Sequence, residues 1–191
     1  ARMTVAGARG RPYWAAFLGL AASVVVVDQL TKAWLVSILA PGELQVILGD
    51  ALRITHSQNS GALFGLFQDQ ALLFGLVSIG VVGLIAWYHG SSGRSAFLTL
   101  ALGLLLGGAL GNMIDRFRLG YVVDWVDIGI GEWRFYTFNV ADSAITGAIL
   151  LLLLNAALPL LPGRTSETRR AAEPGQADPG PSTSPTEPAD G

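Results

Sequence analysis

No cysteine occurs among the 191 residues, which excludes a disulfide scaffold, a cysteine nucleophile and a thiolate zinc site. Histidine is almost as scarce. His56 and His89 stand isolated in the sequence, a poor basis for a metal site. Charge is the next shortage: 14% of residues are charged, against roughly 25% in an ordinary soluble domain. The formal net charge is −2, and no basic patch exists to neutralise phosphates, so nucleic-acid binding is excluded. Residues 12–27, 70–93, 95–114 and 143–163 carry no charge at all, and three of these runs hold 20 or more residues. Roughly 20 apolar residues cross a bilayer as a helix. With 51% hydrophobic residues and a mean hydropathy of +0.50, the chain does not read as a soluble enzyme.

What is present instead predicts an all-α integral membrane protein. Four transmembrane helices are expected over about 13–39, 72–88, 96–112 and 141–161. The first resembles a secretory signal, since Arg2, Arg9 and Arg11 precede an apolar core. Asp28 and Lys32 interrupt that core and no clear small-x-small site follows, so it reads as a retained helix. Four spans put both termini on one side. That side holds seven arginines (2, 9, 11, 94, 164, 169, 170) and the other holds four (53, 116, 118, 134), which predicts cytoplasmic termini. Residues 1–162 form one membrane domain. Residues 163–191 carry five of the nine prolines and no Leu, Ile, Val, Met or aromatic residue, so a disordered cytoplasmic tail is expected there.

The two outer loops carry strand patterns. Val46-Ile47-Leu48 and Leu52-Arg53-Ile54-Thr55 flank a Gly49-Asp50 turn, and residues 122–128 and 133–138 flank Gly129 to Glu132. A small β-structured region at the outer membrane surface is therefore expected. Ionisable groups in or beside a span are costly and mark function by default. Asp28 and Lys32 sit four apart on the first helix, with Asp28 about 24 Å from Pro12 at ~1.5 Å per residue, close to the outer end. Asn112, Asp115 and Arg116 end the third helix, Asn139 and Asp142 open the fourth, and Asn59 and Asp124 lie in the outer loops. All share one depth on one side. Each also has a plainer reading. Asp28 and Lys32 could be an interfacial ion pair with a snorkelling lysine, Asn139 and Asp142 a capping arrangement, and Arg116 a headgroup anchor. Gly103, Gly107 and Gly111 form a stripe that close helix packing explains. Asp127 and Glu132 read as solvated loop charges.

The chemistry open to this set is narrow. There is no Gly-x-Ser-x-Gly elbow, and no serine has a plausible histidine base at matching depth except His56. A Ser-Lys pairing through Lys32 is conceivable, but Lys32 already has Asp28 as neighbour. A carboxylate pair remains. Two aspartates sharing a proton can activate a water and protonate a leaving amine. Asp124 and Asp142 suit this, because the loop between them can fold back and bring them together.

Five segments in order complete a recognisable pattern: Asp28-Gln29-Leu30-Thr31-Lys32, Asn59-Ser60-Gly61-Ala62-Leu63-Phe64-Gly65, residues 107–116 through Gly111-Asn112 to Asp115-Arg116, Val122-Val123-Asp124, and Phe138-Asn139-Val140-Ala141-Asp142-Ser143. The chain resembles bacterial lipoprotein signal peptidase (signal peptidase II). The resemblance implies an aspartyl endopeptidase of the bacterial plasma membrane that removes signal peptides from diacylglyceryl-modified prolipoproteins, on the N-terminal side of the lipidated cysteine. It implies catalysis by Asp124 and Asp142, with Asp28, Lys32, Asn59, Gly61, Asn112, Arg116, Asn139 and Ala141 binding substrate or shaping the site. It implies no metal or cofactor, lipidated prolipoproteins and membrane lipids as partners, a monomer, and a site at the extracytoplasmic face. Leu63 departs from the usual second alanine and Tyr136 from a common proline. The rival readings are a small transporter, against which the lack of an internal repeat speaks, and a non-catalytic four-helix assembly factor. A presenilin-like protease is disfavoured because Gly-x-Gly-Asp precedes neither aspartate.

Overall fold

The computed structural model describes residues 13–61, 70–92 and 95–157. Its element order is α1 (Trp14–Ile38), β1 (Leu44–Leu48), β2 (Leu52–Asn59), α2 (Ala71–Ser91), α3 (Ala96–Leu119), β3 (Val122–Ile130), β4 (Trp133–Arg134) and α4 (Val140–Ala157). The four helices are long and apolar enough to cross a membrane. Packing divides the chain into Ala1–Leu154 and Asn155–Gly191. Of the second unit only residues 155–157, the end of α4, are described, so the expected tail lies outside the described residues.

The charge-free runs locate all four helices, but α3 continues seven residues beyond the expected end at Asn112, to Leu119. Hydropathy fades there and helix propensity does not: Met, Ile, Arg and Leu are all good or tolerable helix formers. Gly120, at φ +78°, then accepts the left-handed conformation that ends the helix. The start of α3 is capped by Ser95, whose hydroxyl accepts from the Leu98 N–H at 3.2 Å. This extension puts Asn112, Asp115 and Arg116 on one helical face.

Half of the α3 span is buried, against 17% for α1 and α2 and 11% for α4, so α3 is the inner helix. Phe17 and Ala21 of α1, Ile85 of α2 and Leu102 and Leu106 of α3 form the core between them. The glycine stripe permits the close approach. A Cβ at Gly107 would lie 2.6 Å from Val24 Cβ, and one at Gly111 would lie 2.7 Å from Asp28 Oδ2. At Gly108 a Cβ would run into the Ala141 carbonyl, which is where α4 meets α3. Outward-facing Leu30, Leu72, Leu84, Trp87, Leu150 and Leu153 are exposed, as a lipid-facing surface requires.

Both expected hairpins exist, the second with a return strand of Trp133–Arg134 instead of 133–138, and they join into one four-stranded antiparallel sheet in the order β1-β2-β3-β4. Their turns differ from the sequence reading. Leu48 pairs with Leu52, so the first loop has three residues, Gly49-Asp50-Ala51, rather than two. Ile130 pairs with Trp133, so the second turn tightens to Gly131-Glu132, with Gly131 at φ +57°. Leu35 from the end of α1 packs under Ile54 and Val123, fixing the sheet on the helix end.

Asp127 corrects the sequence reading: it is buried, and its carboxylate takes the Arg134 Nε–H at 2.7 Å. Arg134 also reaches Asp50, which in turn receives Arg53 and the Gly131 N–H. Four charges thus join the two hairpin tips and neutralise one another. Glu132 is exposed, as expected.

Candidate active site

Asp28, Lys32, Asn112, Asp115, Asp124 and Asn139 are all buried, and burial of such groups demands partners. They gather at the sheet end of the helices. Lys32 lies 2.8 Å from Asp28 Oδ2 and 2.8 Å from Asp115 Oδ2. The ion pair expected between Asp28 and Lys32 is present, but Lys32 faces inward and does not snorkel.

Asp28 does more than balance Lys32. Its Oδ1 accepts the Ala141 N–H at 2.9 Å, one of the unpaired amides of the first turn of α4. Asn139 is the residue before that helix. Its Oδ1 accepts the Asp142 N–H at 2.9 Å, while its own N–H donates to Asp142 Oδ2 at 3.3 Å. This is a reciprocal capping box, so the capping reading is correct for the geometry. It leaves Asp142 Oδ1 free of the cap, and Asn112 Nδ2 donates to that oxygen at 2.7 Å.

The orientation of each asparagine follows from its neighbours. Lys32 Nζ can only donate, and it donates to Asn112 Oδ1 at 3.1 Å, so Asn112 must turn its amide nitrogen to Asp142. Asn139 commits its oxygen to the Asp142 N–H, so its nitrogen serves Asp124 Oδ1 at 2.7 Å, together with Val123 O and Asn112 Oδ1. Asn59 takes the Gly61 N–H on its oxygen at 3.2 Å and gives its nitrogen to Asp124 Oδ2 at 3.0 Å. Asn139 therefore binds both aspartates at once. β2 and β3 set the other side: Ser57 pairs with Asp124 and Asn59 with Val122.

Burial, then the adjacent Asp142 carboxylate, push the Asp124 carboxyl up to about 7; the hydrogen bonds from Asn59 and Asn139 and the charge of Lys32 pull the other way. Asp124 is thus poised to hold a proton near neutrality. Arg134, which could have reversed this, is committed to Asp127 and Asp50.

Arg116 stands near Asp142, Asp124 and Asp115. Its Nη1 donates to Asn112 O at 3.2 Å, its Nη2 reaches Gly61 O at 3.4 Å, and its guanidinium lies 5.8 Å from the Phe74 ring centre. Its buried Nε has no partner among the described residues.

All ten site residues expected from sequence come together here. Two were missed as members of the site. Asp115 is the second counter-charge of Lys32, and its Oδ2 also accepts the Val123 N–H at 3.2 Å, holding the backbone beside Asp124. Gln29 bridges Asp115 Oδ1 at 2.9 Å and Gly111 O at 3.3 Å. The available signal was the three-residue step from Asn112 to Asp115, which shares a helical face. Of the two motif departures, Tyr136 is exposed and Leu63 lies outside the described residues.

The model of the family described as Signal peptidase (SPase) II matches residues 20–158. The lipoprotein signal peptidase of Syntrophomonas wolfei is 39% identical over 156 residues, covering 81% of this chain and 97% of that protein. The lipoprotein signal peptidase of Streptococcus pyogenes serotype M1 is 38% identical, covering 69% of this chain and 86% of that protein. A solved bacterial membrane enzyme obtained by the in meso method at 2.3 Å resolution superposes with a TM-score of 0.71 at 26% identity, covering 89% of this chain and 99% of that one. A second, at 1.9 Å resolution, gives a TM-score of 0.69 at 29% identity, covering 81% and 98%.

Proposed function

The chain belongs to the signal peptidase II family, aspartic-type peptidases of the membrane, and from that premise we propose that Asp124 and Asp142 are the catalytic pair that cleaves prolipoprotein signal peptides. The observation that carries this reading is Asn139, one residue bonded to both carboxyl groups: its side-chain amide donates to Asp124 Oδ1 and its backbone N–H to Asp142 Oδ2. It fixes them side by side at the end of the membrane helices.

The reaction needs one proton on the pair. Asp124 holds it and Asp142 is ionised, its charge favoured by the first turn of α4 and by Asn112. A water between them gives a proton to Asp142 as its oxygen attacks the scissile carbonyl carbon. Asp124 protonates the carbonyl oxygen, and a tetrahedral diol forms. On collapse the C–N bond breaks, Asp142 passes its proton to the leaving amine, and Asp124 regains its own from the diol hydroxyl. The pair ends as it began, with no covalent enzyme intermediate and no metal or cofactor in the sequence of steps.

The other site residues divide by contact. Asp28 and Ala141 hold the start of α4, Lys32 and Asn112 orient Asp142, and Asn59 with Gly61 supports Asp124. Arg116 stands near both aspartates and keeps an Nε–H with no partner among the described residues, which suits a substrate carbonyl.

The substrate is a prolipoprotein whose cysteine carries a diacylglyceryl group. It enters sideways from lipid, and cleavage falls on the N-terminal side of that cysteine. The seven-to-four arginine asymmetry supports cytoplasmic termini and hence a site at the extracytoplasmic face, where water and acyl chains meet, and a pair with all its support on one chain supports a monomer. The test is turnover of a diacylglyceryl-modified prolipoprotein by purified enzyme in detergent. Asp142→Asn should abolish signal-peptide release in a folded protein, and the unlipidated precursor should be a poor substrate. Near-parental turnover by folded Asp142→Asn refutes the assignment.

A further inference from the structure

Behind the catalytic strand lies a buried histidine that the reaction does not use. His56 on β2 is 3% exposed. Ile54 pairs with Val126 and Ser57 with Asp124, so Thr55 and His56 together stand opposite Trp125 in a bulge. The His56 Nδ1 lies 2.9 Å from the carbonyl of Leu39, the residue that closes α1. A carbonyl only accepts, so Nδ1 carries a proton in this bond. Nε2 has no partner among the described residues, and neither has the indole N–H of Trp125 across the bulge. The backbone of His56 is held as well: its N–H donates to Glu43 O at 3.1 Å and its carbonyl accepts from Gly42 at 2.8 Å. Three hydrogen bonds thus clamp this one residue to the connector between α1 and β1. Three residues further on, Asn59 donates to Asp124 Oδ2.

We propose that His56 is a positioning residue for the reaction: its Nδ1–H bond to Leu39 pins the β2 bulge and so sets the register that delivers Asn59 to Asp124. This rests on the Asp124–Asp142 reading and deepens it. The need for a pin is physical. A strand that slips by one residue turns every side chain to its other face. A slip of β2 past β3 would turn the Asn59 amide away from Asp124. The ring is suited to the task because Nδ1 leaves close to the backbone, whereas a longer side chain carries its donor past the Leu39 carbonyl.

That geometry supplies the test. An Asn side chain places its amide nitrogen where Nδ1 sits, and a Gln side chain places it near Nε2. His56→Asn should keep kcat within about threefold of the parent enzyme. His56→Gln should lower kcat by roughly tenfold or more, with KM for the lipidated prolipoprotein unchanged. The pH profile separates positioning from mere destabilisation. Asp124 is faced by Asp142, Lys32, Arg116 and the amides of Asn59 and Asn139, and the Asn59 bond holds its pKa down. Loosening that bond should move the alkaline limb of the kcat profile up by about half a unit or more. Asn59→Ala should move the same limb in the same direction. Parental kcat and an unmoved limb in His56→Gln overturn the proposal, as does equal impairment of both His56 variants. If Asn59→Ala moves the limb and neither His56 variant does, the pin is wrong and the dyad stands. If folded Asp124→Asn turns over at the parental rate, the dyad reading itself has failed.

Discussion

Replacing Asp124 by asparagine should abolish turnover and, above neutral pH, make the protein more stable. Asp124 titrates near 7 in the folded chain, against 3.8 for an ordinary aspartate. Between those values the folded protein binds more protons than the unfolded one, so stability falls as pH rises through that window. The full cost is about three units, or ~4 kcal/mol, and it is present above pH 7. Asparagine does not ionise and escapes it. The substitution carries its own penalty, because Asn59 and Asn139 both present N–H groups to residue 124. The new amide nitrogen must face one of them, at about 1–3 kcal/mol. The variant should therefore gain roughly 1–3 kcal/mol at pH 8 and gain nothing, or lose, at pH 5. Thermal unfolding in detergent followed by tryptophan fluorescence reads this directly. At ~2–4 °C per kcal/mol, the Tm difference between variant and parent should swing by roughly 5–10 °C between pH 5 and pH 8. A difference of the same size and sign at both pH values would show that Asp124 does not ionise across this range, and the reasoning would fall.

Lys32→Met should destabilise the protein by about 3–5 kcal/mol and lower turnover sharply, because Asp28 and Asp115 lose their shared counter-charge and Asn112 loses the donor that fixes its amide; paired Tm and turnover measurements check it. Gly111→Ala brings a Cβ within 2.7 Å of Asp28 Oδ2 and 3.2 Å of Ala141 Cβ and should cost about 1–3 kcal/mol with loss of activity. Gly80→Ala, where a Cβ meets nothing within 4 Å, should be neutral or stabilising in the same assay. A reporter fused after Gly163 should read as cytoplasmic and one inserted within residues 43–55 as extracytoplasmic, and the reverse labelling would place the dyad on the wrong face.

Sequence carried the parts of this site that depend on local rules. The capping box of Asn139 and Asp142 is three residues long, and the pairing of Asp28 with Lys32 is one helical turn, so each is legible from spacing alone. The helices were legible because charge is excluded from a span. Their ends were less so: α3 runs on through Asp115, Arg116 and Arg118 because helix formation tolerates charges that a bilayer does not. Other features depend on register, which no local rule supplies. Asn59 meets Asp124 from 65 positions away, through the pairing of β2 with β3. Asp127 looked solvated because its partner Arg134 is fixed by the tight turn at Gly131, and a turn two residues longer would have separated them.

The charges of the site explain why a proton should be shared there at all. Four carboxyl groups, of Asp28, Asp115, Asp124 and Asp142, converge on two cations, Lys32 and Arg116. Lys32 is spent on Asp28 and Asp115, which leaves that triad one negative charge in excess. The first turn of α4 meets Asp28 with the Ala141 N–H and the positive end of the helix dipole. That leaves Arg116 to face the Asp124–Asp142 pair. One cation balances one ionised carboxylate, so the second must keep its proton while buried. Asp142 has the helix end and Asn112, whereas Asp124 sits on a strand that offers no dipole, so the proposed mechanism assigns the proton to Asp124. In the proposed mechanism, the need for one protonated carboxyl thus follows from a shortage of positive charge, and the surroundings of the two aspartates decide which one holds it. Adding a cation beside Asp124 would stabilise the fold and, by ionising the acid, stop the chemistry.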